Sequence, residues 1–359
     1  MHTLIANIVG LAMTAGVMAV VNAGLVQNSF AAEVTGKGAK PNPQMQAVLD
    51  ELAILGPKPL GAVPALEARK QPSPADAVKA LLKKKGKSIE PEAVGKLENK
   101  TISSAAGQIP IRIYMPKGQG PFPIIVYYHG GGWVIADLDT YDASPRALTN
   151  ATNAIVVSAH YRQAPEHKFP AAHDDALAAY KWVLEHAKEL NGDPKNIALV
   201  GESAGGNMAA AVSIMAREHQ MQMPVYQALV YPVAGDNVDT PSYIENANSK
   251  PLNRAGMQWF FKQYLNSPTD GKNHLISLLS EKNLKGLPPT TIITAQIDPL
   301  RSEGKAYAEL LQKAGISVRY KNYEGVTHEF FGMAAVIDKA KAAQQFVAEG
   351  LKSAFATKN

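Results

Sequence analysis

Residues 196–206 read Asn-Ile-Ala-Leu-Val-Gly-Glu-Ser-Ala-Gly-Gly, and this stretch decides the fold. Its first five residues form a short apolar run that predicts a strand, and the residues from Ala204 to Glu218 predict a helix. The glycines permit a tight turn that holds Ser203 between the two elements with its hydroxyl exposed. The N-terminus of the helix adds partial positive charge beside that hydroxyl. The stretch therefore predicts a nucleophilic serine, and the alternative is a glycine-rich turn with a bystander serine.

A serine hydroxyl is a poor nucleophile at neutral pH, so it needs a base, which in turn needs an orienting acid. The expected chain order in this setting is serine, acid, histidine. Three histidines follow Ser203, namely His219, His274 and His328. His219 ends the predicted helix, more than about 20 Å from the serine by helical rise, and His274 lies in a polar stretch. His328 follows a predicted strand, so it is the predicted base.

The predicted acid is Asp298, which comes directly after a predicted strand. Ser203, Asp298 and His328 then all follow strands, at the sheet edge where open α/β sheets place their sites. Asp236 and Asp239 follow an earlier predicted strand and are the alternative acids.

The sequence His-Gly-Gly-Gly-Trp at 129–133 follows another predicted strand. Successive glycines leave bare backbone N–H groups that can point at a developing negative charge. The N–H groups of Gly130 and Gly131, together with that of Ala204, are the predicted oxyanion hole. A flexible glycine loop is the alternative, and His129 is interpreted as a structural hydrogen-bonding residue rather than a second base.

Strand and helix patterns alternate along the rest of the chain. This alternation predicts an α/β fold with a mostly parallel central sheet and helices on both faces. The predicted strands are 109–115, 123–128, 154–160, 196–200, 226–231, 290–296 and 317–323. The predicted helices of this part are 171–190, 204–218, 255–265, 302–314 and 338–354. Two amphipathic helices, 43–55 and 73–82, precede the first strand and predict a cap over the site.

The N-terminal segment has the composition of an export signal. Charged side chains are absent before Glu33, and residues 4–26 are mostly apolar. Small residues at Ser29 and Ala31 suit cleavage after position 31, although the segment lacks the usual Lys or Arg at its start. The apolar run is also long enough to cross a bilayer. We expect a cleaved signal and an exported protein, periplasmic or secreted; an uncleaved anchor and an initiation codon assigned too early are the alternatives.

The predicted domain organisation has three parts. Residues 1–31 are the signal peptide, residues 32–108 a loose leader with the cap helices, and residues 109–359 the catalytic domain.

The composition excludes several classes of protein. The chain has 359 residues, of which 46% are hydrophobic and 19% charged, which excludes a disordered, collagen-like or multi-span membrane protein. A net charge of +5 is mild, so a nucleic-acid partner is not expected. The chain has no cysteine, which excludes disulfides, thiolate metal sites and a cysteine nucleophile. A His-Glu-x-x-His zinc motif is also missing, so neither a metal nor an organic cofactor is expected.

These motifs together resemble the hormone-sensitive-lipase-like family of the α/β-hydrolase superfamily, whose bacterial branch contains many esterases. The resemblance runs from about residue 110 to the C-terminus. It rests on the segments 129–133, Tyr-Arg-Gln-Ala-Pro-Glu-His at 161–167, Phe-Pro-Ala-Ala at 169–172, Gly-Glu-Ser-Ala-Gly-Gly-Asn at 201–207, Asp-Pro-Leu at 298–300 and His328. The chain departs from the family pattern at Gln163, Glu202 and Ser302, none of which removes a catalytic group.

The resemblance implies an α/β-hydrolase fold with an N-terminal helical cap and a serine esterase activity. A capped pocket favours small esters of short to medium acyl chains. It assigns the nucleophile, base, acid and oxyanion donors to Ser203, His328, Asp298, Gly130, Gly131 and Ala204. The alternatives are a lipase, lactonase, amidase or deacetylase using the same triad, or a ligand-binding protein on this fold. A homodimer is compatible with the sequence, and membrane contact is expected only if the N-terminal segment is retained.

Overall fold

The computed structural model of the protein describes residues 38–104 and 107–356. The predicted export signal, residues 1–31, lies outside these ranges. Within them, no helix is both long and apolar enough to cross a membrane.

The described residues build one eight-stranded sheet in the order β1-β2-β4-β3-β5-β6-β7-β8. β2 pairs antiparallel with β1 and β4, and the other neighbours are parallel. The strands are β1 Lys96–Ser104, β2 Gly107–Met115, β3 Phe122–Tyr128, β4 Ile155–Ala159, β5 Gly192–Glu202, β6 Gln227–Val230, β7 Thr290–Ile297 and β8 Val318–Thr327. The predicted mostly parallel sheet is confirmed.

Ten α-helices accompany the sheet in the described part of the chain. They are α1 Pro43–Leu55, α2 Ala65–Ala68, α3 Pro74–Lys84, α4 Ala143–Thr152, α5 Ala171–His186, α6 Ala204–Glu218, α7 Pro241–Glu245, α8 Arg254–Tyr264, α9 Arg301–Lys313 and α10 Asp338–Ala356. The predicted bounds of α1 and α6 match these ranges, and most other predicted ends differ by one to four residues.

Two apolar cores lie on the two faces of the sheet. Alternate residues of β3 face opposite sides, so Ile124 and Val126 belong to one core and Ile125 and Tyr127 to the other. The first core includes residues of α5 and α6, and the second includes residues of α4 and α10. A strand that is buried on both faces reads as a continuous apolar run, which is why the sequence predicts β3 clearly.

The sheet begins earlier in the chain than the sequence predicts. β1 lies within residues 32–108, which were predicted to hold only the leader and cap helices, yet it pairs with β2 along its whole length. Ile102 is its one buried residue, because β1 is an edge strand with mostly polar side chains. Such a strand has no alternating apolar pattern, so its sequence signal is weak. The helix α4 was missed as well.

The N-terminal helices α1 and α3 occupy the positions predicted for a cap. Each begins at a side chain that accepts a backbone N–H: Asn42 caps α1 with a 2.9 Å bond from Met45, and Ser73 forms a capping box with Asp76. Between these helices, Arg69 reaches the loop that follows the three glycines. Its guanidinium donates to the carbonyl oxygen of Val134 at 2.7 Å, which ties the cap segment to the catalytic end of the sheet.

Candidate active site

Ser203 occupies a strained turn between β5 and α6. Its φ is 57° and its ψ is −119°, outside the regions that side chains usually adopt. Such a conformation costs about 1–3 kcal/mol and persists only where the surroundings enforce it. One of those restraints is the Ser203 N–H, which donates to the carbonyl oxygen of Val230 in β6 at 2.9 Å.

The glycines of this turn are required by close backbone contacts. A Cβ on Gly205 would lie 2.0 Å from the carbonyl oxygen of Tyr128 at the end of β3. A Cβ on Gly201 would lie 2.0 Å from the carbonyl oxygen of Gly205. No side chain fits at either position, so the G-x-S-x-G pattern lets α6 start directly against the sheet.

The structure brings Ser203, His328 and Asp298 together at one edge of the sheet. The Nε2 atom of His328 lies 2.9 Å from Ser203 Oγ, and its Nδ1 atom lies 2.7 Å from Asp298 Oδ2. The other oxygen of Asp298 accepts the N–H of Leu300 at 2.9 Å, which orients the carboxylate. The three residues follow the parallel strands β5, β7 and β8, whose carboxyl ends meet at this edge, and all three are buried.

The environment of His328 favours its protonated form. Burial alone would lower the pKa of this imidazole. The charge and hydrogen bond of Asp298, together with the charges of Glu329 and Glu202, outweigh that effect, so the pKa of His328 lies above its usual value of 6.5. His328 therefore binds a proton readily. It is neutral, and so able to act as a base, at pH values above its raised pKa.

The glycine loop after β3 lies beside this triad. Gly131, like Ser203, lines the cavity at the site. In the described residues, the backbone N–H groups of Gly130, Gly131 and Ala204 donate to no protein acceptor. The Tyr161 hydroxyl lies 3.0 Å and 2.9 Å from the carbonyl oxygens of His129 and Gly130, which fixes the loop from behind. The loop therefore has backbone donors without a protein acceptor close to Ser203.

His129 is buried in this loop and is only a weak base. Burial, together with the neighbouring His160, lowers the pKa of His129 to about 3. Its Nδ1 atom lies 2.8 Å from the carbonyl oxygen of Gly130, and its ring stacks on that of Tyr161 at 4.4 Å. These contacts agree with its interpretation as a structural residue.

Sequence reasoning missed the carboxylate of Glu202, noting that residue only as a departure from the family pattern. Its two oxygens accept the hydroxyls of Tyr127 and Tyr231, each at 2.5 Å. Burial raises the pKa of Glu202 to about 7. Tyr127 lies in β3 and Tyr231 directly follows β6, the strands on either side of β5, so only the folded sheet reveals this cluster.

The alternative triad residues lie elsewhere. His219 ends α6, and His274 lies 3.4 Å from Glu218 at the far end of the same helix from Ser203. Asp236 pairs with a lysine at 2.8 Å, and Asp239 pairs with an arginine. None of these four groups takes part in the hydrogen bonds of the triad.

One group of possible metal ligands stands out among the described residues. The ligand atoms of Glu218, His274 and Glu281 lie within 4.8 Å of one another. Arg217 already approaches both carboxylates, at 3.9 Å and 3.6 Å, and so offsets their charge. The group is separated from Ser203 by the length of α6 and contributes nothing to the triad.

A cavity of about 680 Å³ opens over the triad. Ser203 and His328 lie in its wall. Apolar side chains from the cap and from the loop around α8 supply much of the remaining lining, among them Leu49, Leu52, Leu60, Leu252 and Phe260. A partly enclosed, apolar chamber above a polar reacting group suits a small organic substrate.

Sequence comparison identifies the family. A family model described as the alpha/beta hydrolase fold matches residues 125–332. A carboxylesterase of Mycobacterium tuberculosis is 42% identical over 254 residues, which cover 69% of this chain and 79% of that protein. An ethyl acetate hydrolase of Pseudomonas putida is 32% identical over 298 residues, which cover 82% of this chain and 92% of that protein.

Solved structures give the same result. The hyperthermophilic esterase of the archaeon Pyrobaculum calidifontis superposes with a TM-score of 0.80 and is 35% identical. The match covers 88% of this chain and 98% of that one. The predicted family is thus confirmed: the chain belongs to the α/β-hydrolase superfamily and, within it, to the hormone-sensitive-lipase-like family.

Proposed function

We propose that the protein is a serine carboxylesterase that cleaves small esters through a covalent acyl-enzyme. The observation that carries this proposal is the continuous relay from Ser203 Oγ through His328 to Asp298, open to an apolar cavity. Relatives named carboxylesterase, ethyl acetate hydrolase and arylesterase support the choice of esters.

Acylation begins when Ser203 Oγ attacks the carbonyl carbon of the ester and its proton passes to His328 Nε2. Asp298 stabilises the imidazolium that forms. The carbonyl oxygen becomes an oxyanion and accepts the N–H groups of the glycine loop and of Ala204. One such donor is worth about 3–4 kcal/mol in the transition state. The tetrahedral intermediate collapses as His328 returns its proton to the leaving alcohol.

Deacylation repeats the sequence with water. His328, neutral again, takes a proton from a water molecule that attacks the acyl carbon, and the same donors stabilise the second oxyanion. The imidazolium then protonates Ser203 Oγ as the carboxylic acid leaves. Every proton is carried by the serine, the histidine, the substrate and the attacking water.

The acyl preference is tested with p-nitrophenyl esters from acetyl to palmitoyl. We expect the highest kcat/KM on short to medium chains, because the cap helices restrict the cavity. Fastest turnover of long chains, with activation on an emulsion, would instead indicate a lipase. An intact fold that cleaves none of these esters would contradict the proposal and favour an amide or lactone substrate, or a binding function.

The pH dependence follows from the protonation of the base. His328 accepts a proton only when neutral, so kcat/KM is expected to rise with pH as the imidazolium is lost. Because Asp298 and its neighbours raise the pKa of His328, the midpoint of this rise is expected above 6.5. Initial rates measured between pH 5 and about 9 show whether kcat/KM rises or falls with pH. A rate that falls across this range would contradict His328 as the base.

We also propose that the enzyme acts outside the cytoplasm after its N-terminal segment is removed. The uncharged, apolar composition before Glu33 and the small residues at Ser29 and Ala31 support this proposal. Mass spectrometry of the exported protein is expected to find an N-terminus near Ala32. An intact Met1 in a membrane fraction would instead show an anchored enzyme.

A further inference from the structure

Glu329 follows the base directly and has an unusual backbone conformation. Its φ is 71° and its ψ is 2°, in the left-handed region that side chains other than Asn and Asp rarely adopt. Its side chain is only 22% exposed and lines the cavity beside Ser203 and His328. A strained, largely buried acid at a reaction site is a candidate for a functional role.

A hydrogen bond holds the Glu329 carboxylate in place. The hydroxyl of Tyr141 lies 2.7 Å from each of its two oxygens. The same hydroxyl packs against the oxyanion loop, since a Cβ on Gly130 would lie 2.2 Å from it. Tyr141 is buried and therefore joins the loop of the base to the loop of the oxyanion donors.

The carboxylate also stands close to the reacting face of the imidazole. Its Oε1 atom lies 3.8 Å from His328 Nε2, the atom that faces Ser203. This distance is too long for a direct hydrogen bond, so the interaction is electrostatic. Asp298 contacts the opposite nitrogen, Nδ1, so the two carboxylates flank the ring.

Other titratable groups surround this pair. The following groups act on His328 and Glu329 from the neighbouring elements: Asp298 after β7, Glu202 at the end of β5, Tyr127 in β3, Tyr231 after β6, Tyr141 before α4 and Tyr161 after β4. Burial raises the pKa of Glu329, and the nearby His328 opposes that rise. The positive charge of protonated His328 therefore favours the carboxylate form of Glu329.

We propose that Glu329, held by Tyr141, is a positioning residue for the proposed ester hydrolysis: its carboxylate stabilises the imidazolium form of His328, and its bond to Tyr141 ties the base to the oxyanion loop. This inference rests on the proposed function. His328 gains its positive charge in both transition states, so a fixed negative charge beside Nε2 lowers the barrier of both steps.

The variant Glu329→Gln separates charge from hydrogen bonding, because its amide oxygen still accepts the Tyr141 hydroxyl. Loss of the negative charge makes the imidazolium less favourable, so the midpoint of the kcat/KM rise moves to lower pH. We expect a shift of about half a pH unit or more. Glu329→Asp retains the charge, so the midpoint of its kcat/KM rise is expected to lie close to that of the wild type. Glu324→Gln, which removes an exposed carboxylate in the same strand region, is the matched control and leaves the midpoint unchanged.

The variant Tyr141→Phe tests the tie between the loops. It keeps the Glu329 carboxyl group but removes the hydroxyl, and we expect kcat to fall about 3- to 10-fold with little change in KM, because the oxyanion donors act in the transition state. Thermal unfolding of each variant shows whether it remains folded.

An active wild type and a Glu329→Gln variant with superimposable pH profiles would overturn this inference while leaving the proposed function intact. A wild type without ester turnover would overturn the proposed function itself. A Glu329→Asp midpoint equal to that of Glu329→Gln would also count against the charge effect.

Discussion

Replacing Ser203 with alanine is expected to lower kcat/KM for p-nitrophenyl butyrate by about 10⁴- to 10⁶-fold, as loss of the nucleophile does in serine hydrolases. The variant removes the atom that forms the acyl-enzyme but leaves the oxyanion donors and the cavity in place. Substrate binding is therefore retained, and the residual rate reflects water attacking a polarised ester.

Ser213→Ala is the matched control for this change. Ser213 is buried in the same helix, α6, and its hydroxyl lies 2.8 Å from the Gln227 side chain rather than in the active site. We expect near-wild-type kcat/KM with, at most, a lower unfolding temperature. A folded Ser203→Ala protein within about tenfold of the wild-type rate would contradict the nucleophile assignment.

The second large effect is expected at Asp298. Asp298→Asn should lower kcat about 10⁴-fold, since the amide can donate to His328 Nδ1 and so select the tautomer that carries its proton on Nε2. A protonated Nε2 cannot accept the Ser203 proton. Asp298 is fully buried, so solvent cannot replace the lost carboxylate.

Asp236→Asn distinguishes the two acids that the sequence left open. Asp236 pairs with Lys272 at 2.8 Å and makes no bond to His328, so its variant should keep near-wild-type activity. Equal losses in the two variants, or a mild loss in Asp298→Asn, would count against the assigned acid. Both are measured as steady-state kcat at one pH on the plateau of the profile.

The turn around Ser203 could be predicted because its signals are local. The 23 residues from Asn196 to Glu218 contain a strand, the serine turn and a helix. Two glycines of the turn stand where a Cβ does not fit. His328 and Asp298 are harder to predict as partners of the serine, since only the expected order of the strands places them near it. The structure places them there because β5, β6, β7 and β8 are consecutive neighbours.

Other features could not be predicted because they depend on distant residues or weak patterns. The Tyr141–Glu329 bond joins positions 188 residues apart, and no motif marks either of them. The polar edge strand β1 has no apolar alternation, so the sequence does not predict it. The sheet therefore begins before residue 109, the predicted start of the first strand. The helix α4 is short and rich in small polar residues, and this hides its periodicity.

Covalent labelling of Ser203 tests the acyl-enzyme proposal most directly. The protein is treated with a fluorophosphonate, which phosphonylates an activated serine, and is analysed by intact-mass and peptide mass spectrometry. We predict one adduct per chain, located on Ser203, that forms in step with the loss of ester hydrolysis and does not form in Ser203→Ala. Full esterase activity without an adduct, or an inactivating adduct on another residue, would contradict the account.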